Sequence, residues 1–578
     1  MSEVLGADIL PITYKTRHGR FLGYGFFAPE LPPCFNSQQL ALNRDYLLQE
    51  LVKPEDQNKK EPAYLRFRSD KVVFLHPRYK NTDRPHSIIN PISFFFISNE
   101  ISKHYGALRQ LERKSKYSLS QSYFDNLGAR PIKRPSFGKR DEFTSSASTR
   151  FEYIAQTDIR AFYHSISTQS IPLAIHGRQK IKPNQDILDL KLFGNVIALL
   201  SQNAQLGQTI GLPVGPDTSR VIAEVIASAM DVEISKKQKI KKEDGSRFVD
   251  DYSIGCNSIA EGQKILSTVR QAASVYSLDI GKEKTRVEPT DHMTYVGWKD
   301  YLKSHIVQKP TLEDFNKYFY ACNVMSKAQP ELNIDKYSIQ SCRARFVNCD
   351  CWPYIQDHLV STYRRNSSVI EPMVEVIISR HLKRKDVDVD SLSAFVNGRL
   401  PILAEQQRHG EAIWLLYMCI SIGIKISAKS LIGFLDDQNA CIAILIMQAS
   451  EASIVVGKLD LSKWRNATVE DLEGSMWLYY YEASMQGWLK TDIASEHPIY
   501  SILSRKDIRF TSFENSYMTL EDIIKSRKIE NKIKNARDQD DRNEGGIFED
   551  KKFELTEEEI EDIIAQLEEE EEAALDTY

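Results

Sequence analysis

The sequence predicts an α+β body followed by an all-α region. Three observations carry this. Phe151 to Ile159 alternates apolar and polar residues and ends on Asp158, as a strand with a terminal carboxylate does. Arg247-Phe248-Val249-Asp250-Asp251-Tyr252, between the polar Lys241–Ser246 and the alternating Tyr252–Gly255, reads as a β-hairpin with an Asp-Asp tip. From about residue 310 onward, apolar residues recur with helical spacing and no strand pattern returns.

The elements follow in order. With 578 residues, 42% hydrophobic and 27% charged, the chain has globular composition and length for two to four domains. Residues 1–60 are mixed, with a Pro-rich extended segment at Glu30–Phe35, a helix over Asp45–Val52 and a polar linker over Lys53–Glu61. Val72–Pro77 reads as a strand, and Arg84–Pro91 opens a helix over Ile92–Ile101 whose Phe94, Phe95 and Phe96 belong to the core. Ser118–Arg150 has the Ser, Gly and Pro content of a loop, with Arg130, Lys133, Arg134, Lys139 and Arg140 available to phosphates. A scaffold helix spans about Pro183–Gln205. Gly211–Arg220 is a Gly/Pro loop capped by Asp, Thr and Ser before the helix Val221–Ala227. Further helices are expected at Thr311–Met325, Trp352–Tyr363, Glu371–Leu382, Glu411–Ile424, Ser427–Leu435 and Ala440–Ala449, in an array of stacked pairs. The tail beyond about Asn535 ends in an acidic helix with Ile560, Ile563, Ile564 and Leu567 as one apolar stripe. It acts as a solubilising tail or docks on a basic surface.

Composition excludes several classes. The eight cysteines lack paired Cys-x-x-Cys spacing and read as free thiols rather than zinc ligands. No N-terminal segment has signal-peptide character and no apolar run approaches about 18 residues, so a cytoplasmic protein without a membrane span is expected. The net charge of −4 hides a split: the segment after Asp538 carries about −15 and the rest about +11. From Lys103 to Arg140, about ten Lys/Arg stand against Glu112 and Asp125. A basic body suits nucleic acid, whose binding gains from counterion release.

Chemistry enters through the carboxylates. Adjacent Asp250 and Asp251 at a hairpin tip repel each other, and a divalent cation relieves the repulsion. If the strand ending on Asp158 lies beside that hairpin, three carboxylates converge on two Mg²⁺ ions, an arrangement suited to in-line displacement at phosphorus.

In their order, these segments resemble the palm of reverse transcriptases. The matching motifs are Asp158 with Tyr163 five residues on, Leu212-Pro213-Val214-Gly215 through Ser219, the aromatic-x-Asp-Asp of Phe248–Asp251, Leu278–Thr285 with Lys284, and Tyr295-Val296-Gly297-Trp298. They cover roughly residues 60 to 300. The surroundings of Asp158, with Phe162, Ser165 and Ile166, and of Leu212–Arg220, with Ile222-Ala223-Glu224, look like bacterial abortive-infection and defence-associated members. Where retroviral and retron enzymes carry Gln after the Pro, this chain has Val214.

The resemblance implies right-hand polymerase fingers and palm with an antiparallel-sheet active site, followed by the helical domain. The implied domains are an N-terminal extension (1–60), fingers-like region (61–150), palm (151–305), helical domain (306–534) and acidic tail (535–578). Asp158, Asp250, Asp251 and the carbonyl of Ile159 would hold two Mg²⁺ ions, with Mn²⁺ a substitute, and Lys284 would protonate pyrophosphate in preference to Lys282. Tyr163 would stand as steric gate against a 2′-hydroxyl. Pro213, Val214, Gly215, Arg84 and Lys71 would line the nucleotide, and Gly297 and Trp298 the primer. The implied activity is RNA-directed DNA synthesis from dNTPs in antiphage defence. The RNA template, a dedicated non-coding RNA among the options, the DNA product, an accessory defence protein and self-association are the implied partners. Template-independent or protein-primed DNA synthesis on the same fold, RNA synthesis from RNA, and a non-catalytic nucleic-acid scaffold stand as alternatives.

Overall fold

The computed structural model describes residues 13–53, 62–126, 129–133, 137–181, 189–238, 240–290, 298–307 and 309–513. Its centre is a four-stranded antiparallel sheet. The strands are β3 (Tyr153–Asp158), β4 (Gly245–Phe248), β5 (Asp251–Cys256) and β6 (Arg286–Pro289), in the order β4-β5-β3-β6. A separate two-stranded ribbon precedes it, built from β1 (Val72–Arg78) and β2 (Thr82–Ile88). Three helices matter for the site. Helix α1 (Pro91–Lys103) starts on the Asn90 side chain, which accepts the Ser93 N–H at 2.7 Å, with Pro91 at the first helical position. Helix α2 (Asp217–Lys237) is buried along most of its length and carries Glu224 and Asp231 seven residues apart on one face. Helix α3 (Ile259–Val275), capped by Ser258, packs on α2 and covers β3, β5 and β6.

From Trp298 to Ser504 the chain is chiefly helical. Arg343–Asn348, Ile370–Arg384, His409–Ile422 (α4), Ala440–Glu451 (α5) and Trp477–Met485 pack one upon the next in a row, and Trp352–Arg365 and Val389–Glu405 flank it. Buried residues of α4 and α5 cover their whole circumference, as in a helix with neighbours on every side. The row closes onto the N-terminal region: Trp414 Nε1 donates to the Glu30 carbonyl at 2.8 Å, and Phe510 rests among Phe26, Phe27 and Trp477. Apolar residues from residue 21 to residue 510 therefore form one continuous core.

Three sequence readings are corrected. Arg84–Ile88, read as the opening of a helix, is part of strand β2, and the helix starts only at Pro91 after the Asn90 cap. Ser118–Arg150 is not all loop, because Phe137–Ser148 is a helix whose Ser, Thr and charged residues hide its periodicity. The helix assigned to Pro183–Gln205 spans Phe193–Asn203, after a turn over Asp189–Leu192; residues 182–188 lie outside the described residues. The acidic tail also lies outside them. Among the described residues no helix is long and apolar enough to cross a membrane, and the eight cysteines are unbridged.

Glu482 ties the last described segment to this core. Its carboxylate accepts the Phe510 N–H and the Thr511 hydroxyl, both at 2.6 Å, and burial pushes its pKa up to about 7. The folded protein thus keeps a proton that the unfolded chain loses near 4.5. The associated stability is complete below that value and is lost as pH rises towards 7. Glu482→Gln, which imitates the protonated acid, should flatten this decline. The wild-type protein should lose on the order of 1–3 kcal/mol more than the variant between pH 4.5 and 7.5, as measured by urea midpoints.

Candidate active site on the antiparallel sheet

The register of the sheet assembles the site. Pairing of β3 with β5 sets Asp158 directly opposite Asp251, and pairing of β4 with β5 sets Phe248 opposite Asp251. Val249 and Asp250 form the two-residue turn. Val249 has φ of 61°, an outlier for a β-branched residue. Both of its backbone groups are held: its N–H donates to Ser120 Oγ at 2.9 Å and its carbonyl accepts Arg247 Nη1 at 2.8 Å. The Asp250 carbonyl accepts the Ile159 N–H at 3.2 Å, which locks the turn to the end of β3.

Arg247 is itself fully buried. Its Nη1 and Nη2 reach the Glu224 carboxylate at 3.0 and 2.8 Å, and its Nε reaches Asp231 at 2.9 Å. Ser115 and Tyr252 donate to Asp231, and Ser118, Ser120 and Ser228 donate to Glu224. Burial raises the Asp231 pKa, whereas Arg247 overcomes burial at Glu224 and holds it below the ordinary value.

The site's charges are tightly arranged. Lys284 Nζ lies 2.9 Å from Asp158 Oδ2 and 3.2 Å from Asp251 Oδ1, and Arg140 Nη1 lies 3.7 Å from Asp251 Oδ2. Asp158 Oδ1 is buried without a hydrogen-bond partner. Burial and then Asp251 raise the Asp250 pKa. Burial works against the charged form of Lys284, but its bonds to the two carboxylates prevail and raise its pKa. Among the described residues no group of three His, Cys, Asp or Glu side chains is gathered as a metal cage. Asp158 and Asp251 converge on the Lys284 ammonium, with Asp250 on the adjoining turn.

The segment carrying Lys284 runs against the end of β3: Arg160 N–H donates to the Asp279 carbonyl at 2.9 Å and Gly281 N–H to the Asp158 carbonyl at 2.8 Å. A Cβ at Gly281 would run into Asp158 Oδ1.

The Gly/Pro loop forms a second wall. Gly211 and Gly215 have φ of 97° and 139°, backbone that glycine alone adopts readily. Leu212 N–H donates to the Tyr163 carbonyl at 2.7 Å, and the Val214 carbonyl accepts the Ser87 N–H of β2 at 2.8 Å; Pro213 is buried between them. Tyr163 packs edge-on against Phe162, and burial pushes its hydroxyl up to about 12. With Arg220, Glu224 and Val249 it lines a cavity of about 60 Å³ behind the turn.

Several basic residues expected on phosphates are engaged elsewhere. Arg130 donates to Asp217 and to the carbonyls of Phe27 and Gly215, so it staples the Gly/Pro loop. Lys71 Nζ donates to Gln205 Oε1 at 3.0 Å, and burial lowers its pKa. The Lys133 carbonyl accepts Arg220 Nη2, and Lys133 itself is exposed. Arg84 is exposed on β2, on the ribbon face that also carries Arg78. Trp298 stands edge-on to Tyr337 with ring centroids 5.0 Å apart. Arg134, Gly297 and the Lys139 side chain lie outside the described residues.

Sequence reasoning missed four contributors. Partial burial and then Arg84 lower the Arg78 pKa, while the charge of Asp250 acts against them, so Arg78 belongs to the charge balance of the hairpin turn. Ser120 and Gly281 act through backbone geometry that carries no motif. Asp231 had a legible signal: with Glu224 it sets two acids seven residues apart on one face of a largely buried helix.

Residues 101–300 match the sequence profile of the reverse transcriptase (RNA-dependent DNA polymerase) family. That segment contains Asp158, Asp250, Asp251, Lys284 and the Gly/Pro loop, whereas the ribbon with Arg78 and Arg84 precedes it. No curated protein matches the chain. Among solved structures, apo telomerase from Candida tropicalis is similar at 13% identity over 70% of this chain and 72% of its own, with a TM-score of 0.31. Telomerase from Candida albicans in complex with a TWJ fragment of telomeric RNA is similar at 13% identity over 56% and 66%, with a TM-score of 0.26. These two likenesses are too distant to bear on the argument, which rests on the family match and the site.

Because Gly281 abuts a reactive carboxylate rather than the core, Gly281→Ala should act locally. Nucleotide incorporation should fall at least about 10²-fold, as an ångström-scale displacement of a reacting group does, with the melting temperature within a few degrees of wild type. Steady-state kinetics beside differential scanning fluorimetry checks this.

Proposed function

We propose that the chain is an RNA-directed DNA polymerase that adds dNTPs to a 3′-hydroxyl with two Mg²⁺ ions. The observation that carries this reading is the pairing of Asp158 with Asp251 across two strands, with Asp250 on the strained turn between β4 and β5. The match to the reverse transcriptase family over residues 101–300 supports it.

The residues fit divalent cations. Asp158 Oδ1 is a buried oxygen without a donor, and the charge at Asp250 is disfavoured by burial and then by its neighbour Asp251. Asp158, Asp250, Asp251 and the Ile159 carbonyl would hold the ions, and Mn²⁺ would substitute. When bound, the ions stabilise the attacking and leaving oxygens of the displacement.

The chain's own groups do the rest. Lys284, an ammonium between two carboxylates, is placed to neutralise or protonate the departing pyrophosphate. Arg78 and Arg84 offer guanidinium groups to the triphosphate from the ribbon. Tyr163, fixed through its carbonyl to Leu212, is the gate against a ribose 2′-hydroxyl. Work in antiphage defence, copying of a dedicated non-coding RNA and association with an accessory protein or a second copy are proposed on the resemblance to defence-associated reverse transcriptases alone.

The test is nucleotide incorporation by purified protein with its co-purifying RNA retained, supplied with Mg²⁺ and each dNTP or NTP. Asp250→Ala should reduce incorporation to background. Lys284→Ala should slow it about 10²-fold. Tyr163→Ala should narrow the preference for dNTPs over NTPs by at least about tenfold, a change of roughly 1.4 kcal/mol in discrimination. Product sequence identifies the template. A product unrelated to any RNA, or one lost to phenol until protease is added, points to untemplated or protein-primed synthesis. Incorporation that survives in Asp250→Ala, or its absence in wild type while RNA stays bound, overturns the polymerase reading and leaves a scaffold.

A further inference from the structure

The β1–β2 ribbon presents an energetic problem. A lone two-stranded ribbon is marginal in water. This one also carries two like charges on one face, Arg78 and Arg84, and partial burial and then Arg84 lower the Arg78 pKa. Yet Arg78 is held within electrostatic reach of Asp250. On the sheet side, Ser87 N–H at the ribbon's base donates to the Val214 carbonyl at 2.8 Å. His86 Nδ1 lies 3.6 Å from Glu30 Oε2 of the N-terminal region, and further supports come from the helical region, more than 240 residues later in the chain.

Those supports grip the ribbon on both strands and at its tip. On β1, the backbone of Gly410 in the first turn of α4 lies directly against the strand. A Cβ there would sit 2.7 Å from the Leu75 carbonyl oxygen and 3.0 Å from both His76 Cα and Pro77 Cδ. Contacts this short to backbone cannot be relieved by rotating a side chain. Asn439 Nδ2 also donates to the Val73 carbonyl at 3.1 Å. On β2, Arg408 Nη2 donates to Asp83 at 3.4 Å. At the tip, the Tyr79 hydroxyl donates to the Pro330 carbonyl at 3.0 Å and Lys80 pairs with Glu331 at 3.7 Å.

Arg408 is anchored in turn. Its Nη2 donates to Ser367 Oγ at 2.9 Å, and its Nε lies 2.7 Å from Oε1 of the fully buried Glu411. Glu411 also accepts Arg399 at 3.1 Å and the Tyr363 hydroxyl. The chain of contacts therefore runs from the middle of the helical row to the strand that carries Arg84.

We propose that the helical region is a positioning part of the polymerase site: through Gly410 and Arg408 it sets the height of the β1–β2 ribbon over Asp250, and with it nucleotide affinity. Neither residue touches nucleotide. The kinetic half of this proposal rests on the polymerase reading above; the bracing half does not. Arg78 and Arg84 grip a triphosphate only if the ribbon stays at a fixed distance from the hairpin turn, and these contacts fix it. A nucleic acid or protein that shifts α4 would then change nucleotide affinity without reaching the site.

The experiment compares wild type, Gly410→Ala and Asp83→Asn in the full chain. Asp83→Asn loosens only the ribbon end of the ion pair and leaves Arg408 on Glu411, so it remains informative if Gly410→Ala does not fold. Nucleotide KM should rise about tenfold in Gly410→Ala and two- to threefold in Asp83→Asn, with kcat within about twofold of wild type. Backbone amides of residues 72–88 should exchange hydrogen for deuterium faster in both, while those of β3 and β5 keep their wild-type rates. Unchanged KM together with unchanged ribbon exchange overturns the proposal, as does a fall in kcat at constant KM. If wild type incorporates no nucleotide, the polymerase reading fails alone, and the exchange comparison still decides the brace.

Discussion

Everything at the hairpin turn depends on one buried guanidinium. Arg247 has no exposed surface and faces two carboxylates of a single helix. Taken out of water, such charges cost several kcal/mol each, and removing one member of such a group typically destabilises by about 3–5 kcal/mol. Two acids against one base would leave an unbalanced negative charge, but five hydroxyl donors from serines and Tyr252 surround it. The arrangement is an expensive way to hold a sheet on a helix, and its yield is geometric. The guanidinium that binds Glu224 also binds the Val249 carbonyl, and the Ser120 hydroxyl that donates to Glu224 also accepts the Val249 N–H. A β-branched residue in left-handed backbone needs such over-determination, because its relaxed conformation would swing Asp250 away from Asp158.

Much of this centre was legible because it is local. Alternation ended by Asp158 and an Asp-Asp tip between two strand patterns define a strand end and a hairpin within a few residues each. Their pairing follows once both lie in one sheet. The helices around Trp352, Ile370, His409 and Ala440 were legible for the same reason, since each carries its own apolar face. Legibility failed where the deciding partner is remote. Arg130 has the charge and setting of a phosphate ligand, but Asp217, 87 residues later, takes it. Arg78 looks like an ordinary strand residue until the ribbon is placed beside the turn. The helix Val389–Glu405 was overlooked because Gly398 and Pro401 punctuate it, although Leu392, Val396, Leu400 and Leu403 form its buried stripe.

The charge balance of the site follows from the same geometry. Asp158 and Asp251 face Lys284 directly and Asp251 also faces Arg140, with Arg78 near enough to Asp250 to be felt. These cations come from three separate parts of the chain: the ribbon, the helix before β3 and the segment before β6. A phosphate-bearing ligand entering between them meets positive charge on several sides while the carboxylates remain at the floor. Such a cleft concentrates polyanions and should make association sensitive to salt.

The meeting of Phe35 with Thr511 has a consequence for how the protein is made. Asn36 N–H donates to the Phe510 carbonyl, Ser512 N–H donates to the Cys34 carbonyl, and Phe510 completes the aromatic packing around Phe26 and Phe27. On the ribosome, domains generally fold from the N-terminus as they emerge. Here the earliest described segment packs first on the helix Pro91–Lys103 but waits for nearly the last to complete its burial, so the part of its apolar face that meets Phe510 stays bare until residue 510 has left the exit tunnel. Premature termination anywhere in the helical region would expose that surface, and the cell would meet an aggregation-prone fragment rather than a folded, shortened protein.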